Sequence, residues 1–408
     1  MSTFVRVGFS RVNQGLCNVL NKTQNVTLIR AISSKTTRSG EEQRSPKPAP
    51  WPYQEKGFNL FHYLYDKTTA RLDENSKIIV VEGPPAAGKS KLAKQLAAEF
   101  EMLYLPEANL DMEYINSYGF DLRKLDSEIP ESCRSWDVMD FLKNPKHRHT
   151  LRFQMQQYQV KLSQYVDALA HVLSTGQGVI LDRCVYSDFV FTEAMFSQNY
   201  IHKLARKTYY ELRDNTIGEL LRPHLVIYLD KPVPKVIENI KKRAISYEKD
   251  SSVLTPEYLG VIEKQYKQNY LKEISKHAEL LVYDWSDEGD VEIVVEDIER
   301  IDFNRFDEQD TQMKDWVYRL EEEWAVLRHK YADKKDQEIM SYCNIPAFNV
   351  PELVVDAEDA DKYHRTMAEA PGEEFEIGYN KALGDTGLLF KTKSPHRNTL
   401  PLRERRTV

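Results

Sequence analysis

A run of four apolar residues at 78–81 leads into Gly83, four further residues and then Gly88, Lys89 and Ser90. The run is short and largely β-branched, which predicts a buried parallel strand. The residues from Gly83 to Ser90 form the complete G-x-x-x-x-G-K-[ST] pattern of a phosphate-binding loop. Apolar residues then recur at helical spacing, at Leu92, Ala93, Leu96, Ala97 and Phe100. A strand, this loop and a helix in that order predict an α/β protein that binds phosphate groups at a helix N-terminus.

The residue types within the loop suit phosphate chemistry. Backbone amides of residues 87–90 can point at phosphate oxygens, Lys89 supplies a positive charge, and the Ser90 hydroxyl can hold Mg²⁺. Pro84 and Pro85 remove two amide donors, but only from the early half of the loop. An ordinary glycine-containing turn is the alternative, and the complete signature between strand and helix argues against it. The expected phosphate-binding residues are Gly83, Ala87, Gly88, Lys89 and Ser90.

Four more short apolar segments are predicted strands, at residues 102–105, 179–181, 224–230 and 280–283. Helical patterns separate them, at residues 151–173, about 199–221, 236–243 and 256–274. Strands that alternate with helices form βαβ units, so the expected fold is a parallel sheet flanked by helices. Residues 109–150 are polar and aromatic without a clear period, and we predict no element there.

The composition limits the possible classes of protein. With 408 residues, of which 41% are hydrophobic and 29% charged, the chain has room for one large α/β domain and additional segments. No run approaches the ~18 apolar residues of a transmembrane helix, so we expect any membrane association to be peripheral. The cysteines lie far apart, which argues against a disulfide framework, a zinc site and an iron–sulfur cluster. They are Cys17, Cys133, Cys184 and Cys343.

The first forty residues differ from the rest of the chain. They contain six Lys and Arg residues and no acidic residue, with apolar residues between the charges. This profile predicts a mitochondrial transit peptide, placed at residues 1–34, and the alternative is a disordered tail. Removal of the first forty residues, with their six positive charges, would change the formal net charge from −7 to −13. An acidic mature protein argues against nucleic-acid binding, and we predict a location in the mitochondrial matrix.

Two further segments flank the predicted α/β domain at residues 75–300. Residues 35–74 form a proline-containing extended linker and a helix, with aromatic residues that suggest contact with a surface. Residues 301–408 begin with an amphipathic helix predicted at 313–331 and continue as an extended segment at 345–355 and a basic tail at 391–406. We interpret residues 301–408 as a partner-binding segment, and packing of the helix on its own domain is an equal alternative.

Charged residues follow two of the predicted strands. Glu107 comes after the second strand, and Asp182 with Arg183 comes after the third. Functional groups of open α/β sheets lie at the carboxyl ends of the strands, so these residues are candidates for metal binding, water positioning and charge pairing. The alternatives are a solvated strand end for Glu107 and a weak salt bridge for the other two.

Five ordered motifs carry a resemblance to a known family. They are the loop Gly-Pro-Pro-Ala-Ala-Gly-Lys-Ser, the pair Pro106-Glu107, the pair Phe153-Gln154, Asp182-Arg183 with the Val-Tyr-Ser-Asp that follows, and Pro256-Glu257-Tyr258-Leu259. On these motifs the chain resembles the deoxyribonucleoside kinases. The resemblance implies that Glu107 is the base for the nucleoside 5′-hydroxyl, that Arg183 pairs with it, and that Asp182 and Ser90 support Mg²⁺. It also implies that Gln154 and Asp188 bind the nucleobase and that Glu248 approaches the sugar.

The sequence departs from the family pattern at positions that matter for catalysis. Lys161 stands where active members have an arginine near the base, and lysine lacks the bidentate guanidinium. Of three lid positions that would carry arginine, only Arg243 retains it, because the others are Asn239 and Ile245. Phosphoryl transfer depends on such charges, and one arginine can contribute roughly 10³–10⁵ in rate. We therefore expect nucleotide binding with little or no turnover. The vestigial catalytic set is Glu107, Asp182, Arg183 and Arg243.

Within this family the chain resembles a non-catalytic branch, on residues 173–178, 186–191 and 223–228. The resemblance implies an accessory subunit of mitochondrial respiratory complex I, peripheral to the matrix side of the inner membrane, with other subunits of the complex as partners. The expected ligand is ATP, ADP or a deoxynucleotide with Mg²⁺, and FAD stays open as an alternative. The competing hypotheses are an active mitochondrial deoxyribonucleoside kinase that uses ATP and Mg²⁺, and a free-standing nucleotide sensor.

Overall fold

A computed structural model describes residues 32–38, 47–303, 311–375 and 377–386. Most of the predicted transit peptide (1–34) and the whole basic tail predicted at 391–406 lie outside these ranges. Residues 32–34 lie against the folded chain. Ile32 is buried, and the Ser33 amide donates to the Asn75 side chain at 3.1 Å.

The centre of the molecule is a five-stranded parallel sheet with the order β2-β3-β1-β4-β5. The strands are β1 (Ile78–Glu82), β2 (Leu103–Leu105), β3 (Val179–Asp182), β4 (Leu225–Asp230) and β5 (Glu279–Asp284). Each predicted strand is present, and the predicted fold class is confirmed. Val81 lies opposite Asp182 in the register, so the ends of β1 and β3 meet beside the phosphate-binding loop.

Helices cover both faces of the sheet. In chain order they are α1 (Lys35–Arg38), α2 (Lys89–Phe100), α3 (Asp111–Tyr114), α4 (Val138–Lys143), α5 (Thr150–Thr175), α6 (Phe189–Ser197), α7 (Lys203–Ile217), α8 (Val233–Arg243), α9 (Ser246–Lys249), α10 (Pro256–Gln265), α11 (Leu271–Ile274), α12 (Val291–Glu299), α13 (Glu321–Asp333), α14 (Lys335–Tyr342) and α15 (Ala357–Ala368). A π-helical turn, Tyr266–Tyr270, joins α10 to α11.

The alternation of β1 side chains divides the core in two. Ile78 and Val80 face the larger cluster, which contains α5, α6, α7 and α10, whereas Ile79 and Val81 face a smaller cluster with α2 and α12. All of β1 is buried, which explains the unbroken apolar run in the sequence. Because helices cover both faces of the sheet, the loop after β1 is held between rigid elements.

Helix α5 is the longest element and lies at the centre of the larger cluster. It ends at Gly176, whose φ of +75° is left-handed. A Cβ there would lie 2.2 Å from the Arg71 carbonyl oxygen, so the close approach of the chain also requires glycine. Residues 109–149, which precede α5, contain α3, α4 and two 3₁₀ turns, Leu122–Leu125 and Glu131–Cys133. We call residues 109–149 the insert.

The helix predicted at 313–331 is wrong in its first half. A 3₁₀ turn, Lys314–Trp316, comes first, and α13 begins only at Glu321. The reason is local, because the Glu323 carboxylate accepts hydrogen bonds from the amides of Arg319 (3.2 Å) and Leu320 (3.0 Å) and thereby caps the helix. Leu320, an apolar residue within the predicted amphipathic helix, is 59% exposed.

Helix α13 packs on its own domain. Trp324, Arg328 and Tyr331 are buried, and the Arg328 guanidinium donates to Asp66 at 2.8 Å. It also lies 3.8 Å from the centre of the Phe58 ring. Trp51, Tyr53 and Phe58 of the predicted linker are also buried. The prediction that the linker contacts a surface is therefore confirmed, and for α13 packing on the domain is the correct alternative.

Beyond α13 the structure contains helices α14 and α15, which sequence analysis did not predict, and a 3₁₀ turn, Pro351–Leu353, within the predicted extended segment. Within the described ranges, no helix combines the length and the apolar character needed to cross a membrane.

Candidate functional site

The loop after β1 has the backbone conformation of a phosphate cradle. Gly88 precedes α2 with a φ of +98°, and Gly83 has a φ of +151°. A Cβ on Gly83 would lie 2.8 Å from the Leu229 carbonyl oxygen, so β4 leaves room only for glycine. Ala86 is also left-handed, with a φ of +54°. These conformations turn the chain sharply into α2, whose first amides are open to an anion.

Lys89 lies buried inside this loop. Its ammonium group donates to the Pro84 carbonyl oxygen at 3.2 Å. Burial and the neighbouring Arg183 charge lower the pKa of Lys89 to about 8, although Glu107 and Asp182 act in the opposite direction. A phosphate beside Lys89 would favour the charged form, so anion binding and protonation of this side chain are coupled.

Ser90 and Asp182 are brought together by the pairing of β1 with β3. The Ser90 hydroxyl donates to Asp182 Oδ2. The other oxygen, Asp182 Oδ1, is buried and has no hydrogen-bond partner among the described residues. A buried carboxylate oxygen of this kind fits a cation. No cluster of three His, Cys, Asp or Glu residues suited to a metal occurs in the described part of the chain, so Mg²⁺ would need phosphate and water oxygens as its other ligands.

Glu107 and Arg183 form an ion pair at the mouth of the loop. Arg183 Nη1 contacts Glu107 Oε1, and Nη2 donates to the Gly83 carbonyl oxygen at 2.9 Å. Burial would raise the pKa of Glu107, but Arg183, Lys89 and Lys161 outweigh burial and hold that pKa at about 2. Glu107 is therefore ionised at neutral pH. Arg183 has a φ of +61°, a strained conformation that is typical of functional sites.

Sequence analysis missed Glu82, the residue at the end of β1. It is fully buried, and its carboxylate accepts hydrogen bonds from the Cys184 amide at 3.2 Å and the Tyr266 hydroxyl at 3.0 Å. Burial raises the pKa of Glu82, although Arg183, Ser187 and Tyr266 oppose that effect. Because Cys184 follows Arg183, Glu82 helps to hold the strained turn. A charged residue that ends an apolar strand is the signal that could have identified it.

A second polar cluster lies between α5, α6 and α7. Gln154 Nε2 donates to Asp188 Oδ2 at 2.8 Å, and Lys161 Nζ contacts Asp188 Oδ1 at 2.6 Å. The Tyr209 hydroxyl also donates to Oδ2, at 2.7 Å. All four side chains are buried. The structure thus brings Gln154 and Asp188 together, shows Lys161 as the partner of Asp188, and adds Tyr209, which sequence analysis missed. We call these four residues the nucleoside end.

Phe191 links the nucleoside end to the loop. Lys161 Nζ lies 5.0 Å and the Arg183 guanidinium carbon 4.9 Å from the centre of its ring. Cations at these distances interact favourably with an aromatic face. The two groups of charged residues therefore lie next to each other, on the side of the sheet where β1, β2 and β3 end.

Helices α8 and α9, which contain the lid positions, direct little charge at the loop. Asn239 Nδ2 donates to the Ala86 carbonyl oxygen at 3.0 Å. Arg243 is bound to Glu248, with Nε 3.1 Å from Oε2 and Nη2 in contact with both carboxylate oxygens. The structure thus pairs the retained lid arginine with Glu248, the residue expected near the sugar, and both belong to the same short segment. Ile245 caps α9. We call α8 and α9 the lid.

Comparisons with known proteins identify relatives of this chain. The family model described as deoxynucleoside kinase matches residues 79–321. The NADH dehydrogenase [ubiquinone] 1 alpha subcomplex subunit 10, mitochondrial, of Mus musculus is 39% identical over 332 residues, which are 80% of this chain and 88% of that protein. The deoxyguanosine kinase of Dictyostelium discoideum is 26% identical over 58% of this chain and 73% of that protein.

Among solved structures, the deoxyadenosine kinase of M. mycoides with bound dATP is 22% identical, with a TM-score of 0.41. That similarity covers 54% of this chain and 96% of the other.

Proposed function

Because the chain belongs to the deoxynucleoside kinase family, in the same group as NADH dehydrogenase [ubiquinone] 1 alpha subcomplex subunit 10, we propose that it is a non-catalytic accessory subunit of mitochondrial respiratory complex I. In this role it supports the assembly and stability of the complex that passes electrons from NADH to ubiquinone. It does not itself carry electrons, and it needs no iron–sulfur cluster.

The observation that carries the non-catalytic part of the proposal is the state of the lid. Active phosphoryl transfer needs positive charge placed around the transferring phosphate. The retained lid arginine, Arg243, instead neutralises Glu248, and Asn239 binds the loop through a neutral amide. Lys89 and Arg183 can still hold phosphates in the ground state. The site is therefore suited to binding a nucleotide and poorly suited to transferring its terminal phosphate.

The proposed ligand is a nucleotide with Mg²⁺, either ATP, ADP or a deoxynucleotide. The amides of Gly83, Ala87 and Gly88, the Lys89 ammonium and the Ser90 hydroxyl would hold its phosphates. Gln154 and Asp188 would bind the base, with Glu248 near the sugar, and Ser90 and Asp182 would support Mg²⁺. A bound nucleotide of this kind would stabilise the folded domain by mass action. FAD is the alternative ligand, and a ligand competition assay separates the two.

The proposed location is the matrix side of the inner membrane, reached with a transit peptide at residues 1–34. The partners are other subunits of complex I, and residues 301–408 are the proposed attachment segment. We propose no contact with nucleic acid and no membrane-spanning segment in the subunit itself.

The test is native gel separation of gently solubilised mitochondria, followed by detection of this chain. We expect the chain to migrate with NADH dehydrogenase activity at the size of complex I. Migration as a lone monomer or homodimer would overturn the proposal and favour a free nucleotide sensor.

One observation favours a second candidate, an active mitochondrial deoxyribonucleoside kinase. The Glu107–Arg183 pair stands in the arrangement expected for a catalytic base and its partner. A direct assay decides between the two candidates. Purified protein should transfer labelled phosphate from ATP and Mg²⁺ to deoxynucleosides far more slowly than ~1 s⁻¹, the low end for kinases. A rate near that value would establish the kinase.

A further inference from the structure

Residues 32–34 are buried, although they belong to the segment predicted to be a transit peptide. Ile32 is 2% exposed and belongs to the smaller core cluster with α2 and α12, and Ser33 and Ser34 are buried beside it. Residues 35–37, which the same prediction assigns to the mature protein, are exposed. A boundary after residue 34 would therefore remove the buried segment and keep the exposed one.

The buried side chain of Asn75 binds the backbone of Ser33 through both of its polar atoms. The Ser33 amide donates to Asn75 Oδ1 at 3.1 Å, and Asn75 Nδ2 donates to the Ser33 carbonyl oxygen at 3.0 Å. Asn75 Nδ2 also donates to the carbonyl oxygen of Phe100, the last residue of α2, at 3.1 Å. Ser33 is thus joined to the segment before β1 and, through Asn75, to the end of α2. Loss of Ser33 would remove two of these three hydrogen bonds.

A second attachment joins the same segment to α12. The Ser34 amide and the Thr37 hydroxyl both donate to Glu299 Oε1 at 2.8 Å, and Glu299 is the last residue of α12. The bond of Thr37 is exposed, whereas the bond of Ser34 is partly buried. Residues 32–34 therefore connect the ends of α2 and α12 to the start of the sheet, and we call them the N-terminal anchor.

We propose that the mature protein keeps the N-terminal anchor and that the processing peptidase cuts upstream of Ile32. The proposal rests on the proposed function, which includes a transit peptide, and it moves the end of that peptide from residue 34 to residue 31 or earlier. Water adds across one peptide bond, which gives a carboxylate on the released peptide and an amino group on the mature chain. A cut after residue 34 would instead cost the domain the burial of Ile32 and the hydrogen bonds of Ser33 and Ser34.

The shorter segment keeps the composition of a transit peptide. Residues 1–31 contain four Lys and Arg residues, the last of them Arg30, and no acidic residue. This is still the basic, acid-free profile of a mitochondrial targeting segment. The revised boundary therefore satisfies both the sequence pattern and the packing of the anchor.

The first test identifies the N-terminus of the protein isolated from mitochondria. Free amino groups are labelled before digestion, because trypsin cuts after Arg30 and Lys35 and would itself create ends there. Mass spectrometry should find the labelled N-terminus at Ile32 or at an earlier residue from position 3 onward. A start at residue 33 or later would overturn the proposal and leave the transit peptide of the proposed function in place. A start at residue 1 or 2 would instead contradict that transit peptide, and the cleavage with it.

The second test measures what the anchor contributes to the fold, in the full-length chain and without processing. Ile32→Ser removes the buried apolar side chain, so we expect the midpoint of thermal unfolding to fall by about 3–5 °C. The matched control is Lys35→Ser, because Lys35 lies three residues away and is exposed. The control should change the midpoint by less than about 1 °C.

Equal midpoints for the two variants would show that the fold does not depend on Ile32, and the proposal would lose its physical basis and fail. This measurement needs neither a peptidase nor mitochondria, so it decides the role of the anchor even if the proposed location is wrong.

Discussion

The two ends of the proposed nucleotide site, the nucleoside end and the lid, differ in burial and in how their charges are paired. At the nucleoside end, Gln154, Lys161 and Tyr209 all bind Asp188, and every one of these side chains is buried. At the lid, Arg243 is 44% exposed and binds its own neighbour Glu248. The comparison shows that the residues proposed to recognise a nucleoside form a buried network around Asp188, with Lys161 in place of arginine, whereas the retained lid arginine is partly exposed and bound to Glu248.

Folding energetics account for the difference. Removal of one partner from a buried ion pair leaves an uncompensated charge and destabilises a protein by about 3–5 kcal/mol. An exposed ion pair contributes about 0–1 kcal/mol. The nucleoside end is therefore held by the stability of the domain itself, whether or not chemistry occurs there. The lid positions can change with little effect on folding.

The largest loss of stability should come from a substitution in the nucleoside end. Asp188→Asn leaves Lys161 buried without its carboxylate, so we expect a loss of about 3–5 kcal/mol in the free energy of unfolding. Chemical denaturation measures it. The control is Asp287→Asn, because Asp287 is 90% exposed and should change stability by no more than about 0.5 kcal/mol. Similar midpoints for both variants would contradict the comparison.

The next largest effect, a loss of nucleotide affinity, should come from a substitution in the phosphate-binding loop, which faces the lid. Lys89→Met removes the charge but keeps much of the buried volume, and we expect nucleoside triphosphate affinity to fall about 30- to 100-fold, since charge-assisted hydrogen bonds to phosphate are lost. Isothermal calorimetry with Mg²⁺ checks this. Lys91→Met is the control, because Lys91 is 61% exposed and pairs with Glu288. Undiminished affinity in Lys89→Met would mean that the ligand lies elsewhere.

The same lysine predicts a pH dependence. The pKa of Lys89 in the free protein is about 8, and phosphate favours the charged form, so the complex has a higher pKa and binding takes up a proton. Affinity should be nearly full below about pH 7, drop to about half by pH 8 and fall about 5-fold further between pH 8 and pH 9, as the charged fraction drops from half to about a tenth. Phosphate groups are already ionised in this range. The affinity of Lys89→Met should not change with pH. A parallel decline in that variant would assign the pH effect to another group.

The smallest effect should come from the retained lid arginine. Arg243→Gln removes a partly exposed pair with Glu248, and we expect a change of about 0.5 kcal/mol or less in stability. Triphosphate affinity should change less than about 3-fold, because Arg243 is already neutralised. A tenfold loss of affinity would show that this guanidinium reaches the phosphates and would restore the lid as a functional element.

The elements of this fold also differ in how well the sequence predicts them. The loop, the strands and helix α5 follow from patterns that extend over a few residues, and the structure confirms them. Helix α13 was misplaced by eight residues because the Glu323 side chain caps the chain at Leu320, which an apolar stripe does not reveal. The short helices of the insert and helices α14 and α15 were missed because weakly amphipathic or short segments are stabilised by their neighbours and not by their own propensity.

The sequence by itself determined the local elements and the phosphate loop, because residue type and spacing over a few residues are sufficient for these. The resemblance to the kinase family followed from five such local motifs in their order along the chain. Only the tertiary structure decided the state of the site. It joined Ser90 to Asp182, Tyr209 to Asp188 and Tyr118 to Asp385, across 92, 21 and 267 residues of chain. Such pairings depend on how the elements pack, and no local pattern contains them. The same is true of Glu82, whose burial follows from the layers on both faces of β1.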